Sequence, residues 1–532
     1  MAIARRTLLK ACLGATQFGL LSSLLSGRAA RAQSAEGPTK LLTFFLSGGW
    51  MPLWAFCPLS PEEITRYLPR PTTLSGEPVY FDANQVVALD GSGATGAVGG
   101  VQPLRTPALW DEAALAAGSP DPRTGGLTSP HGWSWKHHRL WENTLVVHGV
   151  DQMSAAHVSA QVSALCGVAS SDFKSPSVQA LAAHHLFDAH PDRPLPFVWI
   201  SGTPRPAALS LRPEATPLRI AREADIDLLY SMAKPQAWAG LKASDIGSTL
   251  PPRDFSGAAL NEGFNLNPME DWAMRRARRF GQGAVPSMES AMQAIHDNLL
   301  GVSRTLAADV ASRVARTQAF EHTPQPYWIP AGNNPYATDV RIATDNGANW
   351  KLELDLALKL LKSDVTTSIA VECLGANRFG FDMGHSVGHE VEFVHCRGVF
   401  DLIGRFLGEM KATPGRAAGR SLLDDTLVLI LSDFSRTWPS APTCDHWPTT
   451  SVIFAGGGIN SNRMIGTYDV ASKAPGLQGY LGAPIDIQES SGLAHRVPRS
   501  ADIVTTALAV LGISGIRIPG GNGEIVGVRA GS

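Results

Sequence analysis

Five short apolar runs, each stopped by small or polar residues, constrain this chain more than any other feature. Leu41 to Leu46 stops at Ser47-Gly48-Gly49, Thr144 to Val147 at His148-Gly149, and Thr426 to Leu431 at Ser432-Asp433; Thr366 to Leu374 and Ser451 to Ala455, the latter followed by three glycines, have the same shape. Continuous hydrophobicity over so few residues predicts strands buried on both faces, which belong in a parallel sheet covered by helices. Apolar residues at three and four spacing predict helices over 394–410 and 501–511. The segment 350–361 is rich in helix formers although its leucines alternate, so helix and strand both stay open there. Strands alternating with helices predict an α/β fold: a three-layer α/β/α sandwich with a mostly parallel sheet, whose chemistry gathers at the carboxyl ends of its strands.

The 532 residues divide on this pattern into one interrupted core, with its first part at 40–199 and its second at 346–532. Between them, 200–345 reads as a Pro-rich, helical insertion with helices predicted over 269–280 and 287–315, and 75–130 as a Gly- and Pro-rich surface excursion. With 44% hydrophobic and 17% charged residues the chain is too apolar for intrinsic disorder.

Residues 1–32 carry Arg5, Arg6, Lys10, Arg28 and Arg31 and no acid, followed by a short apolar stretch and Ala30-Arg31-Ala32. This is the pattern of an export signal cut after Ala32, and the paired arginines predict the twin-arginine route and a periplasmic or extracellular protein. Removing those five from the 45 Lys and Arg leaves 40 against 47 acidic residues, a net charge of about -7, which offers nucleic acid no basic surface. No apolar run in the mature chain is long enough for a transmembrane segment. Cys57, Cys166, Cys373, Cys396 and Cys444 form an odd, scattered set without a CxxC, read mainly as buried small hydrophobes.

Residues able to bind metal or move protons cluster where the predicted strands end. His157 follows the strand at 144–147, Asp382 and His385 the strand at 366–374, and Asp433 the strand at 426–431, while His446 precedes the strand at 451. Mixed carboxylate and imidazole donors suit one divalent ion of the zinc, manganese or calcium kind, which could polarise an ester oxygen or acidify a water. His385, His389, Glu392 and His395 share a helix face if a helix begins near His385, as a metal site or as a solvated face. Gly384-His385-Ser386-Val387-Gly388 has the GxSxG form of a serine nucleophile elbow, with Asp433 and His446 or His495 as triad partners, but no strand runs directly into Ser386.

Taken together, the twin-arginine start, Leu46-Ser47-Gly48-Gly49, the His157 helix start with Gln161, Gly380-Phe381-Asp382 with His385, Leu423 to Val428, Ser432 to Thr437, and Asp445-His446-Trp447-Pro448 with the following glycines resemble an exported bacterial family of unknown function, the domain-of-unknown-function 1501 family, placed in the alkaline phosphatase-like superfamily. The resemblance implies an α/β/α fold and metal-assisted attack on a phosphate or sulfate ester, with Asp382, His385, Asp433 and His446 at the metal. Three departures accompany it. Ser47 to Met51 contains no acid where the first strand should supply a ligand, Phe434 stands where a histidine should follow Asp433, and His157 occupies the nucleophile's place, with Ser154 and Ser159 only nearby. The expectation is therefore a single-metal, water-attacking hydrolase of a small anionic ester in which His157 is the general base or acid and Arg436 holds the anion by paired donors. Its alternative is a catalytically degenerate binding or partner protein of the same fold.

Overall fold

The computed structural model describes residues 37–67, 86–92, 101–107, 133–170, 175–193, 195–200, 211, 215, 217–219, 353–373, 389–437, 445–470, 483–484 and 496–531. Residues 1–32, expected to be an export signal, the helices expected at 269–280 and 287–315, and Asp382, His385, Ser386 and His495 lie outside them, as does most of 75–130.

Nine strands form one sheet: β1 (Lys40–Leu46), β2 (Val101–Gln102), β3 (Thr144–Asp151), β4 (Leu195–Ile200), β5 (Leu218–Arg219), β6 (Thr366–Cys373), β7 (Thr426–Ser432), β8 (Thr449–Gly456) and β9 (Arg463–Ile465). Their order across the sheet is β2-β9-β3-β8-β7-β1-β6-β4-β5. All five strands expected from the apolar runs are present. The sheet is mixed, however, because β8 runs antiparallel to both of its neighbours, β3 and β7, and β9 antiparallel to β2. Burial explains why this was hidden: a strand covered on both faces is equally apolar whichever way it runs.

Alternate residues of β1 enter two different cores. Leu42, Phe44 and Leu46 pack with the helix over 353–362 and with α4 (His389–Ala412), whose Phe400, Ile403, Phe406 and Met410 are buried. Leu41 and Phe45 pack on the opposite side with α1 (His157–Cys166), α2 (Val178–Leu186) and α5 (Ser500–Val510). Helices thus cover both faces, and the 353–362 segment resolves as helix (α3) because its leucines pack on that first face. Among the described residues no helix is long and apolar enough to cross a membrane. Cys57, Cys166 and Cys396 are buried and form no disulfide.

At the amino end of β1, Lys40 Nζ lies 2.7 Å from Asp364 and Arg193 Nε 3.0 Å from the same carboxylate, while Arg193 Nη1 donates to the Thr39 carbonyl at 2.7 Å. This buried cluster fixes the strand end remote from Ser47. Inside the sheet, His148 of β3 is fully buried, with Nδ1 2.7 Å from Ser451 Oγ on β8. The Ser451 hydroxyl in turn meets the Tyr468 hydroxyl. Burial holds the His148 imidazole down to about 3, so it is neutral in the fold at any pH near 7. The unfolded chain takes up a proton there near pH 6.5, whereas the folded chain does not until about pH 3. Between those limits the unfolded state binds more protons, so stability falls as pH falls, by at most about 1.4 kcal/mol per pH unit from this group. Urea denaturation between pH 7 and 5 should show that slope, and His148→Gln should flatten it while lowering stability at pH 7.

Candidate functional site

The site forms where β1 and β7 end side by side. The two strands are parallel with Leu46 opposite Ser432, so the loops that follow, Ser47-Gly48-Gly49 and Asp433-Phe434, leave the sheet together. Gly48 and Gly49 have positive φ values of 108° and 82°, which a residue with a side chain adopts only under strain. That turn aims the Gly48 N–H at Asp433, 3.0 Å from Oδ1 and 3.2 Å from Oδ2. Ser432 Oγ stands 3.1 Å from Asp433 Oδ1 and 2.7 Å from the Leu46 carbonyl, stitching the strand ends together.

His157 arrives from the other side. β3 runs into a loop tied down by Gln152, whose Nε2 donates to the Ser432 carbonyl at 3.3 Å, and α1 begins at His157 itself. Ser154 Oγ accepts from the Ala156 N–H at 3.1 Å and contacts Ser159 Oγ at 2.6 Å, so both serines help shape the helix start. His157 Nδ1 is 2.7 Å from Asp433 Oδ2. Asp433 is fully buried, whereas the His157 side chain keeps 34% of its surface exposed. A carboxylate can only accept here, so Nδ1 carries the proton and Nε2 is the basic nitrogen. This is the arrangement in which a buried acid orients an imidazole for proton transfer.

His446 completes the cluster. A two-stranded antiparallel ribbon pairs Ser435–Arg436 with His446–Trp447, setting Arg436 opposite His446. The His446 ring lies 4.6 Å from the His157 ring, edge to face, and 4.2 Å from the Phe434 ring. Its Nδ1 donates to the Ala155 carbonyl at 2.9 Å. Phe434 touches both histidines, its ring also 4.7 Å from that of His157. Phe434, where the resemblance leads one to expect a histidine, is thus the apolar wall of the site.

Arg436 is placed differently from expectation. Its side chain is fully buried; Nε donates to the Gly49 carbonyl at 3.2 Å and Nη2 to the Gly48 carbonyl. The side-on fork needed to grip an anion is closed on the backbone. Arg436 therefore shapes the Gly-Gly turn, with its guanidinium 5.5 Å from the Phe434 ring centre.

The four expected metal ligands divide. Asp382 and His385 lie outside the described residues, as do the side chains of His389, Glu392 and His395, although α4 does begin at His389. His446 has the donor set a ligand needs, one ring nitrogen donating to a carbonyl and the other carrying the lone pair. Asp433 does not, since its oxygens already accept from Gly48, Ser432 and His157. Among the described residues no three His, Cys, Asp or Glu side chains converge as a metal site. What sequence reasoning missed is the pairing itself: His157 and Asp433 lie 276 positions apart. Met153 and Val158, which flank His157, are large apolar residues left 40% and 49% exposed, and Met153 has a positive φ of 56°.

Residues 380–478 match the model of a family described as "Protein of unknown function (DUF1501)". The match supports the resemblance drawn from the second half of the chain and includes Asp433, Arg436 and His446, but not His157. No curated protein and no solved structure matched the chain.

A methyl group at Gly49 would overlap the Phe434 ring and would sit on a backbone at positive φ. Gly49→Ala should therefore destabilise the fold by about 1–3 kcal/mol, read as a lower urea midpoint with an unchanged slope.

Proposed function

We propose that this chain is an exported protein of alkaline phosphatase-like fold that hydrolyses a small phosphate or sulfate ester. The observation that carries the reading is the 2.7 Å contact between His157 and a fully buried Asp433 at the strand ends. Asp433 holds the imidazole in the Nδ1–H form and stabilises the imidazolium that develops when Nε2 takes a proton. Water gives that proton to His157 as its oxygen bonds to phosphorus or sulfur. The bond to the leaving oxygen then breaks, and His157 returns the proton to it. The first turn of α1 has no side-chain cap, so its peptide N–H groups and helix dipole favour an anion beside His157.

His446 would hold a divalent ion together with Asp382 and His385; such an ion would supply charge to polarise the ester oxygen. Arg436 acts by holding the Gly48-Gly49 turn that presents an N–H to Asp433. Export through the twin-arginine machinery rests on the first 32 residues.

The second reading is a binding protein of the same fold that has lost turnover. It is favoured by Met153 and Val158, whose exposed side chains beside the site suit an apolar partner surface.

A screen of phosphate and sulfate monoesters on the mature protein decides between them. The hydrolase reading expects turnover that His157→Ala and Asp433→Asn each lower on the order of 10²- to 10⁴-fold in kcat/KM, measured at a temperature at which circular dichroism shows each variant folded. Absence of turnover across the screen leaves the binding reading. Elemental analysis should find one zinc, manganese or calcium per chain, reduced in His446→Ala; a protein that turns over ester with no stoichiometric metal removes the ion from the reading and keeps the dyad.

A further inference from the structure

Arg105 lies apart from the His157 site, in the short strand Arg105–Pro107 paired antiparallel with Val86–Ala88. Its carbonyl accepts the Cys57 N–H at 3.0 Å. The residue is only 1% exposed, and its Nη1 donates to Gln102 Oε1 at 3.1 Å. Nε and Nη2, by contrast, are buried with no hydrogen-bond partner. These two nitrogens form one edge of the guanidinium, the fork that accepts two oxygens side-on.

Nothing described neutralises this charge by contact. Cys57 is nearby, but burial pushes its thiol up to about 12, so it stays neutral. Glu63 is near enough to favour the charged guanidinium, but its Oε2 accepts the Ser60 N–H at 2.7 Å at the start of the helix Pro61–Tyr67. Among the described residues Arg105 makes no ion pair. Burial itself opposes the charge, and an apolar side chain of similar length would avoid the desolvation cost altogether. A buried guanidinium with its fork open has the chemistry of a receptor lacking its anion; in Arg436 the same fork is closed on carbonyls.

We infer that Arg105 is a second binding site, independent of the His157–Asp433 site, which takes one small oxyanion side-on through Nε and Nη2. The class is set by the fork: a carboxylate, phosphate or sulfate group with two acceptor oxygens about as far apart as the two donors. Lysine, a point donor, does not reproduce it.

The test uses the full mature chain in Tris-chloride, titrated with inorganic phosphate, sulfate or acetate and followed by calorimetry and thermal unfolding. The expected result is one anion per chain and a saturating rise in unfolding temperature, retained in His157→Ala, which separates this site from the proposed catalytic one. Arg105→Met should unfold no lower than wild type without anion and should lose the response; Arg105→Lys should bind at least tenfold more weakly. The three anions separate a carboxylate site from a phosphate or sulfate site. The inference is overturned if wild type shows no saturable response, if Arg105→Met responds as wild type does, or if Arg105→Met is markedly destabilised without anion, since the guanidinium is then structural. Should Arg105→Met fail to fold, the Arg105→Lys titration decides, and binding equal to wild type sinks the idea.

Discussion

A buried carboxylate must be surrounded by donors, and Asp433 meets that demand in a way that organises everything near it. Removing a carboxylate from water without hydrogen bonds would cost several kcal/mol. Here the donors are the Gly48 N–H, the Ser432 hydroxyl and the His157 ring, drawn from the ends of β1 and β7 and the start of α1. Meeting it requires two glycines in left-handed conformations, and Arg436 to hold their carbonyls. Phe434 fills the space that a side chain at position 49 would otherwise occupy. The strand ends, the turn, the aromatic wall and the histidine are one mutually dependent unit.

Much of the fold was legible because burial writes itself into composition. The apolar runs at 41–46, 144–147, 366–374, 426–431 and 451–455 all became strands, four of them extended by one or a few residues at their ends. Strand direction was not legible, since β8 is as apolar antiparallel as it would be parallel. Leu195–Ile200 and the helix Val178–Leu186 were not singled out. The first begins Leu-Pro and the second carries His184 and His185, so neither displays a clean period. Within the site, His157, Asp433 and His446 were each visible as polar residues at strand ends. Their partners were not, because a contact across 276 positions leaves no local pattern.

The two arginines show the limit more sharply. Arg436, beside the site in sequence, invited the role of an anion clamp, yet its donors face the backbone. Arg105 lies in a Gly- and Pro-rich stretch read only as surface, and it is the one with an open, buried fork. Residue type fixes how many hydrogen bonds a guanidinium can make; only the surrounding backbone decides whether they are already made.

The architecture of the sheet also bears on how the protein comes into being. β1 sits between β6 and β7, strands that begin more than 300 residues later, and its register partners are Ser368 and Leu427 for Leu41. A ribosome must therefore deliver most of the chain before the central strand can find either neighbour, and closing such long loops is slow. Until then β1 is an unpaired apolar edge exposed to aggregation. The paired imidazole and carboxylate consequently report completion: no amino-terminal fragment that stops short of residue 433 contains both, and a chain that carries them in contact has assembled its centre.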